Sequence, residues 1–370
     1  MRPAFSSTKQ AALFTFIVFF VLLLPILLLP GILPSRSENY LTQGWTTFGN
    51  LPYLSRQIFQ EKTDVDVAFV GASKVWEGVD TSYVQQKLSE RLGRPAVVRT
   101  IAWGGSGFDT FFFVVRDLLE NRKVKMVVFD DASEESNYPH PLTHYWFRFD
   151  EDAKEISGFP TQIQLDYYFA AILGAPRLLL DLCRSNIPCE IREPDTKLWG
   201  NGSYLTNQLG SVAMQQGFCR PSKTLREYPK LDPFVPVTGA QPSDCVLYSA
   251  ETKNQFEFSE GTIPQWQINF ARQFAALVIE KHAKLVQLHI PDLGDIGHFA
   301  IPERTFWPDS LRANVAMIGI PPGKLFGGLK EEEALKLFAD PVHLNQNGQQ
   351  YFTPLVTPKI LQLYETATNN

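Results

Sequence analysis

The chain lacks a basic surplus. Its 34 Lys and Arg stand against 39 Asp and Glu, a net charge of -5, so there is no broad positive field to draw in a phosphate backbone, and nucleic-acid binding is not expected. Internal repeats and low-complexity tracts are also missing, which excludes a repeat architecture. Cysteine is scarce: the four residues Cys183, Cys189, Cys219 and Cys245 fall in one region, and neither pair has the two-residue spacing of a zinc knuckle. Charge is absent altogether from Ala11 to Pro34 (AALFTFIVFFVLLLPILLLPGILP), a run long enough to cross a bilayer. No A-x-A cleavage site follows that run, so it reads as an uncleaved signal anchor. Arg2 and Lys9 precede it and nothing acidic does. The positive-inside rule then places residues 1–10 in the cytoplasm and the main domain on the periplasmic or extracellular side.

Export suits the cysteines, since an even count in a translocated region is most simply two disulfides. Four cysteines allow three connectivities. The short-loop pairing, Cys183 with Cys189 and Cys219 with Cys245, is the expectation. Asn201-Gly-Ser203 is a glycosylation sequon, relevant in a host that glycosylates.

The remainder is an ordinary globular composition, 44% hydrophobic and 20% charged. Residues 35–63 read as a polar linker ending in a short amphipathic piece. From residue 64 a β/α alternation begins, with strands expected at 65–70, 96–102 and 123–129 and helices at 81–92 and 109–121. Strands separated by single helices imply an α/β three-layer sandwich: a mainly parallel sheet covered on both faces, with functional groups at the carboxyl ends of the strands. The alternation breaks at about 131–262, a stretch rich in Pro, Asn, Tyr and Trp that reads as a large irregular insertion within one domain spanning 64–370. It resumes with a helix near 266–283, strands at 284–290 and 313–320, and a last helix after His343 that Pro354 and Pro358 should interrupt or end.

Two short stretches carry candidate chemistry. Ser73 lies just after the first apolar strand in Val70-Gly-Ala-Ser73; a serine there can cap a helix, or it can be an acyl-transfer nucleophile facing backbone amides. Near the other end stands Phe338-Ala-Asp-Pro-Val-His-Leu-Asn-Gln-Asn-Gly348. Asp340 can cap the terminal helix, or it can accept the Nδ1 proton of His343 and leave Nε2 to take a proton from a serine.

Taken together, an early strand ending in Gly-x-Ser and a late Asp-x-x-His-Leu-Asn-x-x-Gly resemble the SGNH (GDSL-like) hydrolase superfamily, whose sheet is flavodoxin-like. The resemblance implies Ser73 as nucleophile, Asp340 as orienter and His343 as base. For the oxyanion hole it implies Gly107 in Trp103-Gly-Gly-Ser-Gly-Phe-Asp109, with Gly105 as a second choice, and Ser133 near the place of the family's asparagine. It calls for no cofactor and no metal. The chain departs from the family in two places: Gly71-Ala-Ser73 replaces Gly-Asp-Ser, and the acidic Asp130-Asp-Ala-Ser-Glu-Glu-Ser-Asn137 replaces Gly-x-Asn-Asp. With an N-terminal anchor, the chain is similar to the cell-envelope group containing teichoic-acid D-alanylation and exopolysaccharide O-acetylation proteins. That similarity implies a serine O-acyltransferase or esterase acting on acyl groups of an envelope glycan or lipid-linked substrate, beside a membrane-embedded acyltransferase. The alternative is a non-catalytic component of an envelope assembly complex that binds glycan or a membrane partner.

Weaker candidates remain. His289, Asp292, Asp295 and His298 can be drawn as a metal cluster, but such residues in a loop with prolines more often make turns and caps. Phe111-Phe-Phe113 reads as a buried helix face. Tyr145, Trp146 and Phe147 suit either sugar stacking or a satellite core, and the core is the expectation.

Overall fold

A computed structural model of the chain describes residues 5–28, 35–40, 54–105, 107–130, 138–140, 143–172, 233–234, 236, 239–259, 263–304 and 312–368. The described residues fall into two compact units, one drawn from 1–44 and 141–188, the other from 45–140 and 189–370.

The larger unit is α/β. Strands β1 (Val65–Gly71), β2 (Val98–Ala102), β3 (Val124–Phe129), β6 (Lys284–Leu288) and β8 (Val315–Gly319) form a parallel sheet in the order β2-β1-β3-β6-β8. Within the stretch read as an insertion, β4 (Val246–Leu247) adds an antiparallel edge to β8. A separate parallel pair joins β5 (Phe256–Ser259) to β7 (Ile301–Arg304).

Period-two alternation sends the strand side chains to two faces. Val67, Phe69, Met126, Val128, Val286 and Leu288 share a buried cluster with Val84 and Leu88 of the helix Thr81–Leu92, and with Phe352, Val356 and Ile360 of the terminal helix Gln346–Thr368. On the opposite face Phe129 packs edge-on against Phe111 of the helix Phe108–Asn121 and Phe274 of the helix Gln265–Glu280, with ring centroids 6.3 and 5.1 Å apart. This is the expected three-layer arrangement, and Phe111–Phe113 are buried in it.

Local signals set several boundaries. Asp80 caps the helix Thr81–Leu92 by accepting from the amides of Ser82 and Tyr83, and Gly93, at φ 62°, ends it in the left-handed region. The terminal helix differs from expectation, running through both Pro354 and Pro358. The two prolines are four apart and lie on the outer side of the helix, Pro358 exposed, while Phe352, Val356 and Ile360 are buried. Packing of the buried face along the sheet offsets a cost of about 3 kcal/mol per proline.

The smaller unit holds the helix Thr8–Leu28, the helix Phe149–Ile156 and a helix over 161–172. Trp146 meets Tyr40 edge-on at 5.6 Å and Phe147 meets Tyr167 at 5.1 Å, so these two aromatics serve a satellite core. Arg36 Nη1 donates to the Trp146 carbonyl at 2.8 Å and to buried Asp152 at 2.9 Å.

Among the described residues no helix is long and apolar enough to cross a membrane. The segment read as a span, 11–34, is helical as far as Leu28, and residues 29–34 lie outside the described residues. The expected pairing with Cys219 is corrected at Cys245, which is a buried free thiol. It sits in the apolar cluster beneath the terminal helix, where burial pushes its pKa up to about 12. Cys183, Cys189 and Cys219, with the sequon at 201–203, lie outside the described residues.

Candidate active site

The first half of the site follows from the end of β1. All seven residues of this strand are buried, and at Gly71 the chain passes too close to its neighbours for a side chain: an added Cβ would stand 2.3 Å from Asp130 Oδ1 and 2.4 Å from Val75. Ala72 then takes an extended conformation as N-cap, and Ser73 becomes the first residue of the helix Ser73–Gly78. The capping explanation for Ser73 fails on this geometry, because the cap position belongs to Ala72 and has no side-chain hydrogen bond. The Ser73 hydroxyl points instead to His343, with Oγ 2.7 Å from Nε2.

The second half is a turn ahead of the terminal helix. Asp340 Oδ1 accepts from the amides of Val342 and His343 at 2.8 and 2.9 Å, and the two carboxylate oxygens lie 2.9 and 2.8 Å from His343 Nδ1. An ionised carboxylate only accepts, so Nδ1 carries the proton and Nε2 is left as the acceptor for the Ser73 hydroxyl. Burial acts to raise the Asp340 pKa, but the His343 hydrogen bond and the two backbone donors outweigh it and hold the group below the usual carboxylate range. Asp340 does not cap the terminal helix. Asn345 organises that start, its Oδ1 accepting from the amides of Asn347 and Gly348 while its Nδ2 donates to the carbonyls of Lys336 and Phe338.

Ser73, His343 and Asp340 thus form a continuous relay. Ser73 and His343 are 270 positions apart in sequence. The relay is partly open, with the His343 side chain 22% and the Asp340 side chain 50% exposed.

The expected oxyanion residues are placed unevenly. The Trp103 amide donates to the Gly71 carbonyl at 3.2 Å, so the turn after β2 sits against the turn that carries Ser73. Gly105 has φ +80°, and a Cβ there would lie 2.7 Å from the His140 ring, which demands glycine twice over. Gly107 is the N-cap of the helix Phe108–Asn121, closely approached by Asp109. The next amide, Phe108 N–H, is already taken by Gln267 Oε1 at 2.7 Å. Ser133 and Asn137 lie outside the described residues.

Further charged residues stand close by. Glu77, one turn after Ser73, is held up from the ordinary carboxyl range by burial, which the pull of His343 only partly counters and the Asp340 charge reinforces. Its i,i+4 spacing from Ser73 was the available signal. Lys74 Nζ lies 3.1 Å from Asp292 Oδ2. Asp292 itself caps a short 3₁₀ turn by accepting from Gly294 N–H at 2.9 Å; the Asp-x-x-Asp spacing with Asp295 is a capping signal. The residues drawn as a metal cluster are divided: His289 pairs with Asp295 at 3.0 Å, and His298 with Glu257 at 3.6 Å. Among the described residues no group of three or more His, Cys, Asp or Glu is placed to hold a metal ion.

Comparison of the chain with protein-family models, with curated proteins and with solved structures finds no match.

Proposed function

We propose that this protein is a serine acyltransferase or esterase of the SGNH type, acting on acyl groups of a cell-envelope glycan or lipid-linked substrate. The observation that carries the reading is the relay of Ser73 Oγ to His343 Nε2 at 2.7 Å and His343 Nδ1 to Asp340 at 2.8 Å. In this mechanism Ser73 attacks the acyl carbonyl as its proton passes to Nε2, and Asp340 stabilises the imidazolium that forms. The backbone N–H of Gly107 is the donor proposed for the oxyanion. The imidazolium then protonates the leaving group, and a second hydroxyl, from water or a glycan, is deprotonated by His343 to resolve the acyl-enzyme.

Placement at a membrane belongs to the same proposal. The helix Thr8–Leu28 exposes Phe14, Phe16, Ile17, Phe19 and Phe20, and its sequence has no charge after Lys9. A helix apolar on all sides, with these rings outward, suits lipid better than water. Holding the serine near a membrane-borne acyl donor raises effective concentration.

The test is labelling of the purified full chain with a serine-directed fluorophosphonate. Ser73 is expected to carry the adduct, found by peptide mapping. Equal labelling of wild type and Ser73→Ala would reject the assignment.

A further inference from the structure

We propose that Lys74 and Asp292 form a clamp that holds Ser73 against His343, so that both are positioning residues for the reaction; this rests on reading Ser73 as the nucleophile. The two catalytic turns belong to segments far apart in sequence, and a third segment, the loop after β6, touches both. From Ser73 the path runs through the peptide bond to Lys74, across 3.1 Å from Nζ to Asp292 Oδ2, and along the chain to Leu293. The Leu293 amide then donates to the Pro341 carbonyl at 3.0 Å. Two residues further on is His343, whose Nε2 returns to Ser73 at 2.7 Å. Three segments are thus closed into one ring by three non-covalent links, one of which is the catalytic hydrogen bond.

The loop that bears Asp292 is itself fastened. Asp295 Oδ2 accepts from the Asp292 amide and pairs with His289 Nε2, each at 3.0 Å, and both His289 and Asp295 are buried. Burial raises the Asp295 pKa, yet the His289 bond and charge, the Asp292 amide and the Lys74 charge together hold it below the usual range. The loop therefore presents Asp292 from a rigid base.

Helix electrostatics argue that the lysine is there for this contact. A cation in the first turn of a helix meets the positive end of the peptide dipoles and is disfavoured. Lys74 occupies such a position, with a side chain only 13% exposed and its ammonium turned to a carboxylate of another segment. A lysine needed only for solubility would extend into water.

The experiment compares wild type with Lys74→Met, Asp292→Asn, the double variant and Lys74→Arg, all as full chain. The first readout is the fluorophosphonate labelling rate. The second is the NMR signal of the His343 ring in histidine-labelled protein, referenced to Ser73→Ala, with melting temperature as the control for folding. A clamp predicts that Lys74→Met and Asp292→Asn each slow labelling by ~10–100-fold, as small misplacements of reacting groups do. It further predicts that the double variant is no slower than the worse single, because both break one link. The His343 signal should move toward that of Ser73→Ala in both single variants, and Lys74→Arg should stay near wild type. An unmoved His343 signal in either single variant would overturn the clamp. So would Asp292→Asn labelling at the wild-type rate while Lys74→Met is slow, since Lys74 would then act by its charge alone. If wild type is not labelled at all, the nucleophile reading falls, and the His343 signals still decide the clamp.

Discussion

Two aspartates sit at opposite ends of the same sheet, and their surroundings differ in kind. Asp66, second residue of β1, is buried and receives Arg94 Nη2 at 2.7 Å, Lys125 Nζ at 3.0 Å, Tyr364 Oη at 2.5 Å and the Val97 amide at 2.8 Å. These donors lie in or beside β2 and β3 and on the terminal helix, so one carboxylate ties the amino end of the sheet to the layer above it. Burial raises the Asp66 pKa, but the four hydrogen-bond partners win by a wide margin and hold it well below the usual range. Asp340, beyond the carboxyl end, has fewer donors, and one of them is an imidazole whose far nitrogen faces a serine. The first arrangement is saturated and can only hold. The second passes its bond on to a hydroxyl with a proton to give, and that distinguishes a staple from a relay.

The largest effect should come from breaking the relay. His343→Ala should nearly abolish labelling of Ser73. Asp340→Asn should slow it by about 10⁴-fold through the wrong imidazole tautomer, with the melting temperature close to wild type. A loss of folding in Asp340→Asn would mean that this aspartate, too, is a staple.

Breaking the other end should give the reverse pattern. Asp66→Ala should cost ~2–3 kcal/mol in urea unfolding, less than a fully buried pair because the Arg94 and Lys125 side chains are 44% and 41% exposed and regain water. Labelling of Ser73 should stay at the wild-type rate. Since the folded pKa of Asp66 is depressed, its contribution is complete above the unfolded value of about 3.9 and is lost as pH falls toward the folded pKa. Wild type should therefore lose more stability below pH ~4 than Asp66→Asn does. Tyr364→Phe removes one of the donors and should cost ~1 kcal/mol.

Glu77 supplies the smallest and sharpest contrast. It is a half-buried carboxylate where Asp66 is buried, among the described residues no hydrogen bond reaches its side-chain oxygens, and its pKa is raised where that of Asp66 is lowered. A raised carboxyl pKa means that stability falls as pH climbs above the unfolded value near 4.3. Glu77→Gln should thus raise the melting temperature at pH 7 by ~2 °C or less, and the gain should vanish at pH 4. A lower melting temperature at pH 7 would show that Glu77 has a partner when ionised.

The sequence by itself determined what local chemistry can write. Continuous apolar runs marked the five parallel strands within a few residues, because strands buried on both faces read as near-unbroken hydrophobic segments. The apolar spacing of Val84, Leu88 and Leu92 marked one helix, Thr81–Leu92. The pairing of Asp340 with His343 was legible because three residues of spacing keep them within one turn. The tertiary structure alone decided the rest. A two-residue edge strand, Val246–Leu247, is too short to show a period and exists because β8 offers it a partner. The terminal helix continues through two prolines because the sheet rewards its buried face. Asn345 took the capping role that Asp340 was free to fill, and Cys245 is a free thiol inside an apolar cluster. Above all, no spacing joins Ser73 to His343 or Lys74 to Asp292. Those contacts form between segments more than 200 positions apart, and only the folding of β1, the loop after β6 and the terminal turn onto one end of a common sheet brings them within reach.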